Sequence, residues 1–273
     1  MKTLSRVCAL ALLASLGGGL AAQAQIDLTK TDMYYADPGK PNIAGFWRRQ
    51  PGVIFLVGGK LLPAPDARGH QSGLPYKPEW QKAIDARYAA DLKGEKYGDP
   101  IDACWPAGIF GDYLTEPAAL KITQTPGRIQ LLFERQWTKR LIYTNRPHLE
   151  EEWLIPTVKG DSVAKWQGKT LVADTIAVRP EVTLGFRLPH SEKAHFVEKL
   201  TRTAPDTLKI DVTITDPDAF TRPVQAVLTY KLDQKGEFVE DFCMDHNDVI
   251  IDANLVVRPD TRDRKRYGFD LPR

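Results

Sequence analysis

The chain has 273 residues, 37 Lys and Arg against 35 Asp and Glu, and 42% apolar residues. That is enough for one large domain or two small ones around a real core, and it excludes a disordered chain. At the N-terminus Lys2 and Arg6 precede an apolar run from Val7 to Ala22, which closes on Ala22-Gln23-Ala24, a small-x-small cleavage pattern. A secretory leader over 1–24 is expected, with cleavage near Ala24 and a periplasmic or secreted product. The run is short for a membrane span of about 20 residues, and no later run reaches that length, so no span is expected after processing. Removing the leader leaves 249 residues with 35 bases and 35 acids, without the positive excess that nucleic-acid binding requires. Arg262, Arg264, Lys265 and Arg266, mixed with Asp260 and Asp263, read as part of a solvated tail.

Cys8 leaves with the leader, and Cys104 and Cys243 remain. Two cysteines in an exported chain suggest one disulfide. The alternative is a catalytic or metal-bound thiolate, but neither cysteine belongs to a CxxC pair.

The element pattern divides the mature chain into three parts. Residues 25–100 form an irregular N-terminal wrap with one helix, 101–251 a β-barrel, and 252–273 a polar C-terminal tail. In the wrap, Asn42 to Trp47 and Val53 to Val57 look like short strands. Pro78 opens a helix in which Trp80, Ile84, Tyr88 and Leu92 fall at i+4 steps, an amphipathic stripe that should bury one face and stop at Gly94. From Lys121 the period becomes two. Ile129, Leu131 and Phe133 alternate with Gln130, Leu132 and Glu134, and Arg140 to Thr144 is another strand. Val163–Trp166 and Thr170–Ile176 flank a tight turn at Gln167-Gly168-Lys169. Ala194–Thr203 and Leu208–Thr215 flank Ala204 to Thr207. Val224 to Leu232 repeats the alternation, and Lys235-Gly236 turns into Phe238 to Met244. Short links demand antiparallel pairing, and closure removes exposed edges. The fold class expected is mainly β: an antiparallel up-and-down, lipocalin-like β-barrel with one helix and an irregular N-terminal region.

Charged residues that share phase with the buried face are the candidates for chemistry. Glu198 lies between Phe196 and Leu200, and Glu240 between Phe238 and Phe242. Burial would raise such carboxyls toward general acid/base range; the bland alternative is a structural ion pair. Glu134, in phase with Leu132, could pair with Arg140 or Arg187. His190, in Leu188-Pro-His-Ser-Glu192, sits on a loop at a barrel mouth, where it could carry protons. His148 follows Arg146-Pro147 in another such loop. His195 reads as an exposed or capping residue. No GxSxG, phosphate loop or dinucleotide fingerprint appears, and no cofactor and no metal are expected.

Several segments together resemble a family of exported bacterial proteins of mostly unknown activity with a lipocalin-like (calycin-type) barrel. They are Cys104-x-Pro-x-Gly108, Ile122-x-Gln-Thr-Pro126, Arg140-x-Ile-Tyr143, Arg146-Pro-His148, Trp166-x-Gly-x-Thr-Leu-Val-x-Asp-Thr175, Pro189-His-Ser-Glu192, Asp216-Pro217 and Glu240-x-x-Cys243, over roughly residues 42–247. This chain departs from the family at Trp166-Gln-Gly-Lys169, where members carry Trp-Glu-Gly-Asp, and at Cys243-Met-Asp-His-Asn247, where they carry Cys-Glu-Glu-Asn. The resemblance implies a pocketed barrel with His190, Glu134, Arg140 and Glu198 near the pocket. The function expected is a cofactor-independent lyase or isomerase acting on a bulky hydrophobic or aromatic small molecule, lignin-derived dimers being one class. His190 would be the base, Glu198 or Glu240 its partner or the acid, and Arg140 the oxyanion holder. Tyr143, Trp166, Phe196 and His148 are the expected substrate-binding side chains. The alternative is a lipocalin-like small-molecule binding protein without catalysis. A homo-oligomer is compatible with either.

Overall fold

The computed structural model describes residues 34–66, 70–94, 100–114, 119–185, 187–240, 243, 249–251 and 257–259. The expected leader, His246 and most of the C-terminal tail lie outside the described residues. Among the described residues, thirteen strands and two α-helices follow in chain order: β1 Gly45–Arg49, β2 Ile54–Val57, β3 Lys60–Leu61, α1 Pro78–Leu92, α2 Ile109–Leu114, β4 Ala119–Thr125, β5 Arg128–Phe133, β6 Lys139–Tyr143, β7 Asp161–Gln167, β8 Thr170–Ile176, β9 His195–Ala204, β10 Thr207–Thr215, β11 Val224–Leu232, β12 Val249–Ile251 and β13 Val257–Pro259. Alternation of β-branched and polar residues makes the long strands, and two-residue turns such as Gly168-Lys169 join them, with Gly168 at φ +58° as a tight hairpin requires.

β1 and β4 to β11 close into a nine-stranded barrel, with β1 paired to both β4 and β11, and β2 and β3 extending from β11. Every neighbouring pair in the ring is antiparallel except β6 and β7. An all-antiparallel ring needs an even number of strands, because each neighbour reverses direction. Nine strands therefore force one like-directed pair, and the barrel is mixed. The up-and-down expectation fails at this point. The chain returns from the end of β6 to the start of β7 through residues 144–160, as a parallel connection demands.

One face of each strand fills the interior. Leu131, Ile142, Leu171, Ala173, Phe196, Leu200, Ile210, Val212, Ala226 and Leu228 are all buried there. α2 packs over one mouth with all six residues buried. Phe110 meets Phe55 edge-on at 5.7 Å and Tyr113 meets Phe133 at 5.4 Å. This helix was not expected from the sequence. α1 forms where the apolar stripe suggests, but it sits shallowly. Ile84 is buried, Trp80 and Tyr88 are half-buried, and Leu92 is 54% exposed. Steps of four residues drift about 40° around a helix each time, so the fourth member has rotated away from the contact.

Residues 233–240 contain no strand, so Phe238 to Glu240 do not continue the barrel. Phe238 instead packs on Phe46 at 5.0 Å. Cys104 and Cys243 lie at disulfide distance, with Cα atoms 5.5 Å apart. Among the described residues no helix is long and apolar enough to cross a membrane.

Candidate functional site

The inward phase of β6, β7, β8 and β9 brings Arg140, Ser162, Thr175 and Glu198 together inside the barrel. Arg140 donates through both terminal nitrogens to Glu198, Nη1 reaching Oε1 at 2.9 Å. Its Nε donates to Ser162 Oγ at 3.0 Å and its Nη2 to Thr175 Oγ1 at 2.7 Å. The Tyr113 hydroxyl donates to Glu198 Oε1 at 2.8 Å from α2 above. Burial works against the Arg140 cation, but attraction to Glu198 outweighs it and holds the guanidinium above its ordinary value. Burial, then the Glu198 charge, pushes the Tyr113 phenol well up. Each charged atom of the pair is bonded, and α2 lies over it, so the arrangement suits a structural ion pair.

A second ion pair supports the same lid. Lys159, just before β7, pairs with Asp112 of α2 and donates to the Ala107 carbonyl at 2.6 Å. Thr138 Oγ1 donates to Asp112 Oδ1 at 3.0 Å. Burial raises Asp112 and lowers Lys159, and each is opposed by its partner's charge.

His190 is also buried, 2% exposed, within the loop between β8 and β9. Its Nδ1 lies 2.8 Å from the Ser191 carbonyl and its ring stands edge-on to Phe196 at 6.0 Å. Nε2 has no partner of normal hydrogen-bond geometry, although the Val182 carbonyl acts on it from nearby. Burial lowers its basicity. Asp216 does not orient the ring. It accepts the Ser191 amide and hydroxyl, both at 2.6 Å, and the amides of Asp218 and Ala219 at 3.1 Å, which staples two loops together.

The remaining expected residues scatter. Glu134 is buried, but it precedes a short turn at Arg135–Trp137 and accepts the Val239 amide at 2.8 Å; it pairs with neither Arg140 nor Arg187. Glu240 is exposed and lies off any strand, because the chain leaves the barrel at Leu232. It is not an inner-face acid. Trp166 is half-buried at the core edge with its indole Nε1 unpartnered, and Phe196 is core. Tyr143 lies under the Arg146 guanidinium, 4.1 Å from ring centroid to Cζ. The four catalytic candidates other than Glu240 are thus buried, and they do not converge on one reacting point.

A different cluster forms on the outer wall. β6 and β7 touch through one bridge, Tyr143 to Val163. Beyond it residues 144–148 swing over the outer faces of β7 and β8, leaving a cleft of about 730 Å³. Its walls include Asn145, Pro147, His148, Val163, Lys165 and Asp174. His148 Nδ1 lies 2.8 Å from Asp161 Oδ2, and Nε2 lies 3.0 Å from Asp174 Oδ1. His195 Nε2 reaches the same Asp174 oxygen at 2.9 Å. Asp161 is 8% exposed, pairs with Arg146 and accepts the Leu149 amide at 3.1 Å. Burial would raise its carboxyl, but the hydrogen bonds from Arg146 and His148 prevail and hold it below the usual range. Arg146 is held above its ordinary value mainly by that same bond.

A nitrogen and a carboxylate oxygen this close must share a proton, whichever atom carries it. The line Asp161–His148–Asp174–His195 therefore holds exchangeable protons along a chain of four side chains, with its middle on the cleft wall. Such a chain can take a proton from one atom of a ligand and return one to another. Among the described residues no three His, Cys, Asp or Glu side chains meet the geometry of a metal site.

His148 was expected at a site; Asp161, Asp174 and His195 were not. Outward carboxylates on a strand are ordinary, and only the register pairing Val163 with Asp174 and Asp174 with Val197 brings Asp174 beside His195 and under the 144–148 loop. No protein-family model matches this chain, and no curated protein matches its sequence.

Proposed function

We propose that the protein is an acid/base enzyme, a lyase or isomerase, that works on a small molecule in the seam cleft between β6 and β7. The observation that carries the reading is the pair of imidazole nitrogens, from His148 and His195, within 3.0 Å of one Asp174 oxygen at the cleft wall. Asp174, partly exposed on the cleft wall, is the group that exchanges a proton with the ligand, His148 and His195 relay that proton through its bonded oxygen, and Asp161 fixes the His148 ring. The C–H electron pair of the substrate shifts into an adjoining double bond or expels a leaving group, and the relay returns the proton to the rearranged carbon or to that group. Pro147, Val163, Ala164 and Val172 offer the apolar surface for a hydrophobic or aromatic body. Export of the mature chain belongs to the same reading, supported by the 1–24 pattern and by a cysteine pair suited to an oxidising compartment.

The test is incubation with pooled hydrophobic and aromatic small molecules in D₂O, followed by mass spectrometry and NMR. The expected result is conversion or deuterium uptake that His148→Ala and Asp174→Asn abolish while His190→Asn retains it. Turnover indifferent to both cleft substitutions, or binding with no change in any compound, overturns the proposal.

A further inference from the structure

The charge along the cleft floor is not uniform, and its polarity bears on what the cleft accepts. The acid/base line occupies one end. At the other, Lys165 points outward from β7 into the cleft. Register sets Lys165 opposite Val172 on β8, and Val172 opposite Lys199 on β9. The three side chains form one row on the outer face, with Lys199 about 10 Å from Lys165 across two strand spacings. Among the described residues no carboxylate pairs with either lysine; Asp211, opposite Lys199, pairs with Lys209 at 2.7 Å. Lys165 thus lines the cleft beside an apolar floor with no ion-pair partner among the described residues, and Lys199 lies one strand beyond it, outside the lining.

Lys165 is the diagonal neighbour of Asp174, because Asp174 is opposite Val163. Diagonal neighbours lie about 7–8 Å apart. A ligand whose charged head meets Lys165 would therefore present a second point, about one ring or a few carbons away, to His148 and Asp174. The walls between are Val163, Val172 and Pro147. The geometry points to an organic anion with a short apolar body as the substrate class, its oxyanion held by Lys165, with Lys199 adding positive potential from beyond the cleft, and its reacting carbon at Asp174. This inference rests on the cleft being the working site. A lysine ammonium is a point charge that accepts a carboxylate or a phosphate equally in kind, so the shared chemistry is the oxyanion.

Binding of 4-ethylbenzoate, 4-ethylphenyl phosphate and the neutral 4-ethylbenzamide to the full chain, followed by saturation-transfer NMR and titration, separates the alternatives. The benzoate, the phosphate ester or both should bind about tenfold tighter than the amide, as one exposed charge contact and a second nearby cation allow. The double variant Lys165→Ala/Lys199→Ala should reduce that preference to within about twofold, and His190→Asn, buried away from the cleft, should leave it intact. Both lysines are exposed, so their removal leaves the fold unchanged. Equal binding of all three probes, or a preference that survives lysine removal, overturns the anion assignment while the cleft stands as a binding site. Absence of binding by any of the three overturns both. Which anion binds tighter decides between carboxylate and phosphate sources.

Discussion

Glu198→Leu should destabilise the fold far more than a double change that also removes Arg140. The single change leaves a guanidinium 2% exposed, with Ser162 and Thr175 as its remaining partners and no opposite charge. An uncompensated buried ion of this kind costs about 3–5 kcal/mol. The Tyr113 hydroxyl loses its acceptor as well, for about 1 kcal/mol more. In Arg140→Met/Glu198→Leu the charge is gone, and Thr175 still donates to Ser162 at 2.9 Å. Replacing a buried pair by hydrocarbon is often neutral or better, so the double variant should recover most of the loss. Equilibrium urea unfolding gives the midpoint and slope for each variant. For a chain of this size about 2–4 °C of melting temperature accompanies each kcal/mol, so the single variant should melt about 8–24 °C lower. A single variant within 1 kcal/mol of the parent, or a double variant no more stable than the single, refutes the reading of Arg140 and Glu198 as a self-contained structural pair.

Three further outcomes are expected. Because His190 is held below its ordinary basicity by burial, its neutral form favours the folded state. That stability is present above about pH 6.5 and is lost as pH falls through the lowered folded value, so His190→Asn should flatten the decline that melting curves show below about pH 6.5. Reduction should lower the melting temperature of the parent but not of Cys104→Ser/Cys243→Ser, since closing a chain segment of 139 residues stabilises by up to about 5 kcal/mol in the chain-entropy account. Gly160→Ala should cost clearly more than Gly168→Ala in thermal melts. Both have φ near +60°, but a Cβ at Gly160 would lie 2.3 Å from the Ile176 carbonyl, whereas nothing lies within 4 Å at Gly168.

Much of the barrel is legible because each long strand alternates without interruption. Leu208, Ile210, Val212 and Ile214 carry one face of β10, and all four are buried. The same phase argument correctly puts Glu198 inside. It misleads at Phe238 to Glu240, where an alternating triplet lies outside the sheet and one phenylalanine covers Phe46 from a loop. It is silent on α2, since six residues that are all buried show no polar face from which to read a period. The direction of β7 relative to β6 is not written locally either; it follows from the number of strands that close the ring. The outer cluster was hidden for a related reason. His148, Asp174 and His195 are far apart along the chain, and only strand register and the path of the 144–148 loop make them neighbours. His190 was the most conspicuous candidate by its loop context, and it proved to be packed away against Phe196.

An odd ring has a practical side. The like-directed pair can be joined only by a long detour, and here the detour is residues 144–160, whose first part makes one bank of the cleft. The two-residue hairpins at Pro126-Gly127, Gly168-Lys169 and Pro205-Asp206 are too short to vary without shifting register. The detour is free of that constraint, so its length and composition can be re-engineered while the walls stay put, and selectivity grafting on this scaffold should begin there.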